Sequence, residues 1–220
     1  MLMTQKNIPH YNQFTGQRKH RIETLSDGVF AVALTLLVLD IKIPVAEWIN
    51  SESELIASFY LLMPKFLTYL LSFMTLGIFW TGQSAQFHFI EKSDRNLNWI
   101  ALVFLSLVSL LPFSTAFLSE YIVYRFAVAV YWLNLFLLGL LMYINWVYAY
   151  RHNYISVEES DKKTISYLIK KRIIVAQSLY LAGALLCFIN TYLSIAVIIA
   201  IQFSYAFAIF NRKRNTSVKT

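Results

Sequence analysis

A run of twelve uncharged residues, Gly28 to Leu39, lies between two aspartates, Asp27 and Asp40, and this arrangement constrains the rest of the chain. The run is apolar except for Thr35. As helix it covers about 18 Å at about 1.5 Å per residue. A hydrocarbon core is about 30 Å thick and asks for about 20 apolar residues. A single helix over Arg21 to Ile43 is long enough to cross, but it carries both aspartates with it. Charges at that depth face a bundle interior or water and not acyl chains. The segment is therefore expected to be a helix lined by protein or water.

The remainder of the chain supplies that bundle. Of its residues 58% are hydrophobic and 14% charged, against about 25% charged in soluble domains. Further apolar spans are predicted at about Leu55–Trp80, Trp99–Leu118, Ile122–Tyr148, Ile173–Ile189 and Tyr192–Phe210. The fold expected is all-α, an integral membrane bundle of six transmembrane helices. Pro64 is expected to kink the second span, with Lys65 snorkelling at its outer end. Thr81–Asn98 reads as a polar connector, with a helix continued out of the membrane as the alternative, and Asn190-Thr191 as a tight turn. Domain limits follow: a lead-in over 1–20, the six-helix transmembrane domain over 21–210 and a basic tail over 211–220 that is expected to be disordered. The first 20 residues hold no apolar run followed by a small-residue cleavage site, so no cleaved signal peptide is expected.

Charge sets the orientation. Sixteen of the nineteen Lys and Arg fall in the N-terminal stretch, the second-to-third and fourth-to-fifth connectors, and the tail. Only Lys42, Lys65 and Arg125 remain for the opposite side. The positive-inside rule then places both termini in the cytoplasm of a multi-pass protein of the cell inner membrane. Trp48 and Trp132 fall near the outer interface, and Trp80, Trp99 and Trp146 near the inner one. Orientation accounts for the net charge of +7, so a nucleic-acid partner is not expected.

Catalytic patterns are weak. There is no His-Glu-x-x-His and no glycine loop for phosphate, and the single cysteine, Cys187, sits in an apolar run. His10, His20, His88 and His152 all fall in polar stretches. Asp27 and Asp40 are thirteen residues apart, about 20 Å along one helix, too far for joint acid–base work. No enzyme, metal site or cofactor is expected.

Val32, Thr35 and Leu39 share one helix face, which Gly28 and Ala31 extend; Val29, Leu36 and Ile43 form a neighbouring stripe. Ordinary packing between membrane helices, where small residues and Thr are common, explains both stripes as well as any other reading of the residues alone. In a symmetric oligomer, however, the first stripe would become stacked rings. Apolar rings can gate by dewetting, and a ring of Thr hydroxyls offers oxygen to a passing cation. No Thr-Val-Gly-Tyr-Gly occurs, which excludes the carbonyl filter of the usual potassium channels.

Arg21-x-x-x-Leu25-Ser26-Asp27 resembles the Arg-x-x-x-Phe-Ser-Asp signature of the transmembrane protein 175 family, with Leu25 in place of Phe. Trp80, Phe87, Asp94 and Leu111-Pro112-Phe113 fit the same pattern, which covers roughly residues 18–210. Prokaryotic members carry one or two His shortly after that Trp; Gln83 and Ser84 stand there here, with His88 further on. The resemblance implies a potassium-selective, voltage-insensitive channel, a homotetramer of six-span subunits whose first helices line the pore. It implies Val32 as the constriction, Thr35 as the hydroxyl ring, Leu39 as the next apolar ring, and Arg21, Ser26 and Asp27 as the network supporting the pore helices, with an Arg–Asp pair at its heart. Potassium, the bilayer and further copies of the chain are the partners expected. The alternative is a secondary transporter coupling a proton or cation to a solute through Asp27 or Asp40. No convincing internal repeat supports it.

Overall fold

The computed structural model describes residues 19–44 and 49–214, with side chains over 20–44 and 49–205. Most of the expected lead-in, Trp48 and the last six residues of the tail lie outside the described residues.

Six long helices run up and down. They are α1 (Lys19–Leu36), α3 (Met63–Phe89), α4 (Arg95–Glu120), α5 (Arg125–Arg151), α6 (Glu159–Leu185) and α7 (Thr191–Arg214); α2 (Glu52–Tyr60) is short. Among the described residues five segments are long and apolar enough to cross a membrane: His20–Asp40, Met63–Phe89, Arg95–Glu120, Arg125–Arg151 and Glu159–Phe188. Thr191–Tyr205 is a shorter apolar helix. We call the end where α1 begins proximal and the end where it finishes distal. α1 packs on α3 and α4, α5 on α4 and α6, and α7 returns against α3 and α6.

Several boundaries differ from the expectation, each for a local reason. α1 does not run to Ile43. It tightens into a 3-10 turn over Leu37–Asp40 and then extends, because a residue before proline, here Ile43, disfavours helical backbone. The second span does not start at Leu55. Ser51 caps α2 by accepting from Glu54 N–H at 3.3 Å, and Glu54 returns a bond to Asn50 N–H at 2.7 Å. A break at Leu61–Leu62 follows, and Pro64 opens α3 in its first turn, where its missing N–H costs nothing, instead of kinking it. Lys65 pairs with Glu120 at 3.4 Å rather than only snorkelling.

Of the connector's two readings the continued helix is the one found: Thr81–Phe89 extends α3, but inside the bundle and not out of the membrane. Its polar residues have partners inside the bundle: Gln86 Nε2 donates to Met142 O at 3.0 Å and Asn145 Nδ2 donates to Gln86 Oε1 at 3.1 Å. The charged run after 158 is likewise helical and forms the first half of α6, with Glu159 and Asp161 at its N-terminal turn, where negative charge suits the helix dipole. Asn190 is the cap of α7, its Oδ1 accepting from Tyr192 and Leu193 N–H. α7 continues to Arg214, four residues into the expected tail.

The core has two parts. The larger gathers residues of every long helix, with Phe30, Leu71, Leu76, Val108, Leu138 and Ile195 fully covered. The smaller lies at the proximal end around Trp146, which is buried and donates to Ser166 Oγ at 3.1 Å; it is a core residue and not part of an interfacial belt. Above that cluster the two proximal connectors join. Ile90 and Ile155 form an antiparallel bridge, Glu91 N–H reaches Tyr154 O at 2.9 Å and Ser156 N–H reaches Phe89 O at 3.0 Å. Asp94 caps α4 by accepting from Leu97 N–H at 2.8 Å, and its other oxygen accepts from Tyr148 OH at 2.6 Å. Cys187 is free and buried near the distal end.

Candidate functional site

α1 has two unlike faces. Ile22, Ser26, Phe30, Ala33 and Leu37, spaced four, four, three and four apart, are buried against α3 and α4. Phe30 meets Phe104 of α4 at a ring distance of 6.1 Å. The other face stays open along its whole length. Val32 is 57% and Leu39 68% exposed, and Leu25, Gly28, Ala31, Thr35 and Leu36 are exposed with them. A groove of about 820 Å³ runs beside it, lined among others by Arg21, Leu25, Gly28, Val32 and Leu36, and its walls are apolar. The one polar residue between Gly28 and Leu39 is Thr35, which is exposed.

Thr35 has a defined state. Its hydroxyl donates to Ala31 O at 3.1 Å or Val32 O at 2.8 Å in its own helix. With the proton directed to the backbone, the oxygen presents its lone pairs outward. Such an oxygen can accept from water or coordinate a cation, and cannot donate at the same time.

The signature residues sit at the proximal end but do not form one cluster. Ser26 is buried and donates a short hydrogen bond to Gln83 Oε1. Asp27 accepts from Trp80 Nε1 at 2.8 Å and remains exposed. Arg21 is exposed, and among the described residues no ion pair joins it to Asp27. The expected buried Arg–Asp pair is therefore absent within the chain. Six helical positions place the two side chains about 120° apart around α1, so they cannot meet on one face. Gln83 occupies the place beside Ser26, whereas His88 is exposed and lies edge-on to its neighbour Phe89 at 5.2 Å. A polar crevice of about 180 Å³ lies around Ser26, Asp27, Trp80 and Gln83, between α1 and α3.

At the distal end Asp40 is half-buried and accepts from Ser119 Oγ at 2.8 Å. Asp27 of α1 and Asp40 of the 3-10 turn that follows it are thus held at opposite ends by different helices. Sequence reasoning missed their partners, and it missed a polar network inside the subunit. Thr115 donates to Ser72 Oγ at 2.7 Å, Ser72 donates to Tyr131 OH at 3.2 Å, and that hydroxyl meets Thr75 Oγ1 at 3.0 Å. Gln202 Nε2 closes the chain on Thr75 Oγ1. All five residues are buried. The usable signal was the spacing of Thr68, Ser72 and Thr75 at four and three along an otherwise apolar stretch, which puts their hydroxyls on one helix face.

Residues 21–112 match the family described as Endosomal/lysosomal potassium channel TMEM175. The chain is 32% identical over 189 residues to Potassium channel Cha6605_3372 of Chamaesiphon minutus, covering 84% of this chain and 92% of that one. It is 37% identical over 102 residues to Potassium channel B446_29190 of Streptomyces collinus, an alignment spanning 46% of this chain and 48% of the other. Among solved structures it superposes on a lysosomal potassium-selective channel TMEM175 homologue from Chamaesiphon minutus with a TM-score of 0.74 and 29% identity, over 86% of this chain and 97% of that one. An alignment along nearly the whole chain and the same helical architecture agree, and the chain belongs to the TMEM175 family.

Proposed function

We propose that this protein is a potassium channel in which four copies of the chain bring their α1 helices together around a central path. The observation that carries the reading is the open face of α1. That face carries Thr35 and begins at the exposed Asp27, and polar groups at bilayer depth favour protein or water over acyl chains against them. Four such faces meeting on an axis supply both. Val32 and Leu39 then form apolar rings, which dewet when narrow, and Thr35 forms a ring of outward-facing oxygens between them. The relatives named potassium channels in Chamaesiphon and Streptomyces support the same conclusion, and favour it over a transporter. Asp27 and Asp40, each engaged by a neighbouring helix at an opposite end, give a coupled carrier no shared site.

The proximal end faces the cytoplasm of the cell membrane in this reading, since it gathers the connectors rich in Lys and Arg. Ser26 and Asp27 support α1 through Gln83 and Trp80, while Arg21, free to point away from its own subunit, reaches toward a neighbouring copy.

Purified protein in liposomes under a potassium gradient tests the proposal. Downhill current or dye-reported flux is expected, and its absence overturns the reading. Val32→Asn and Thr35→Ala should each change the preference for potassium over sodium; unchanged selectivity removes those residues from the path. In detergent the mass should be near four times 25.6 kDa plus bound detergent, and a monomer would contradict the assembly.

A further inference from the structure

The distal end of α1 is held differently from the rest of the helix. Up to Leu36 it is α-helical and seated through Phe30 and Ala33. Beyond that point the backbone narrows into the 3-10 turn Leu37–Asp40, whose hydrogen bonds are poorer in geometry. On this turn Leu37 is buried, whereas Val38 and Leu39 project out, 48% and 68% exposed. Asp40 ends the turn, and its carboxylate takes the Ser119 hydroxyl at 2.8 Å from the last turn of α4. The next residue, Glu120, pairs with Lys65 in the first turn of α3 at 3.4 Å. Two adjacent residues of α4 therefore tie the distal ends of α1 and α3 in series.

Ser119 has two acceptors and one proton. Its hydroxyl also lies 2.9 Å from Ala116 O in its own helix. If Asp40 moves away, Ser119 falls back on Ala116 O and α4 loses no hydrogen bond, while the freed carboxylate is hydrated at the bundle end. Neither side leaves a buried group unpaired, so the cost of release stays near that of one charge-assisted bond. The contact has the properties of a reversible latch, with a satisfied partner in both positions.

We propose that Asp40 and Ser119 are positioning residues for conduction: their hydrogen bond holds the last turn of α1 against α4 and so sets how far Leu39 reaches into the ion path. The proposal rests on the channel reading above. Leu39 shares the turn with Asp40 and follows it, whereas Val32, two turns earlier on the seated α-helix, does not.

The test uses the full chain in liposomes, with Cys187→Ala as the background and Leu39→Cys or Val32→Cys as the reporter. A charged, water-soluble thiol reagent measures how fast each reporter is modified. Ser119→Ala is expected to change the Leu39→Cys rate by about tenfold, the factor a charge-assisted hydrogen bond supports, and to leave the Val32→Cys rate within twofold. Asp40→Leu should reproduce that effect, and the double variant Ser119→Ala with Asp40→Leu should go no further than either alone. Asp40→Asn keeps an acceptor oxygen but loses the charge assistance, so its Leu39→Cys rate should fall between those of the unaltered chain and Asp40→Leu. Potassium flux should change alongside the Leu39→Cys rate. An unchanged Leu39→Cys rate in Ser119→Ala overturns the proposal. So does an equal change at Val32→Cys, which would mean the bundle as a whole had loosened, and so does Asp40→Asn acting like Asp40→Leu, which would make charge and not the bond the cause. Loss of flux in the unaltered protein defeats the channel reading instead, and the modification rates still report separately on the latch.

Discussion

Replacing Phe30 with alanine isolates what the seated face of α1 contributes, because Val32, two residues on, offers a matched control on the open face. Phe30 is 1% exposed and packs on Phe104, which in turn meets Phe79 at 6.4 Å. In a soluble protein the loss would combine a transfer term with a cavity term. Within a bilayer the transfer term is small, since an unseated phenylalanine would rest among acyl chains as apolar as the core. The cavity term remains. About 100 Å³ of side chain is removed, and at about 24 cal/mol per Å³ with partial collapse the cost is about 2 kcal/mol. For a chain of this length that lowers the melting temperature by about 4–8 °C. Val32→Ala removes a mostly exposed group and should cost under about 0.5 kcal/mol, or about 1–2 °C. The assay is thermal unfolding in detergent run beside liposome flux on the same preparations. Phe30→Ala should lose stability and keep its potassium-over-sodium ratio, while Val32→Ala should keep stability and alter flux. Equal melting shifts in the two variants, or unaltered flux in Val32→Ala, would refute the assignment of the faces.

Three other outcomes are expected. Thr75→Val removes the hydroxyl that Gln202 and Tyr131 share, leaving a buried amide N–H unpaired, and should cost about 1–3 kcal/mol in thermal unfolding; a shift under 1 °C would mean the network reorganises. Ser26→Ala and Gln83→Leu remove opposite ends of one buried bond, so their double variant should be more stable than the sum of the single losses predicts, by about 0.5–3 kcal/mol of coupling; strict additivity would show that the bond contributes nothing. Pro64→Ala should lie within about 0.5 kcal/mol of the parent, since the proline occupies the first turn of α3 and interrupts no helix; a large loss by the same measurement would mean that its ring packing matters.

Much of the fold was legible because hydrocarbon thickness writes itself into the chain as apolar length. The helices α4, α5 and α7 stand where the apolar runs are. The misses share a cause, which is that polarity was taken to mean solvent. Gln83 and Gln86 are polar, yet they bond inside the bundle, so the nine residues of α3 past Trp80 stay packed in it where a helix leaving the membrane was the reading. Lys162, Lys170 and their neighbours are charged, yet they decorate a helix that continues into the span. Lys170 lies over the Tyr150 ring at 5.3 Å and Lys162 reaches Asn153 at 2.9 Å. For the candidate site, the spacing of Val32, Thr35 and Leu39 identified the open face, but its helical period alone could not say whether lipid, protein or water lies against it. The partners of Asp27 and Asp40 come from Trp80 and Ser119, 53 and 79 residues away in the chain, and no local pattern encodes them.

The bridge between Ile90 and Ile155 also bears on how this protein can be engineered. Because each connector supplies the other's backbone hydrogen bonds, a reporter sequence threaded into Ile90–Asp94 would unzip the turn at Tyr154 as well, and the reverse holds too. Fluorophores or split tags are better attached through single side chains on the exposed start of α6, at Lys163 or Tyr167, where the backbone stays whole.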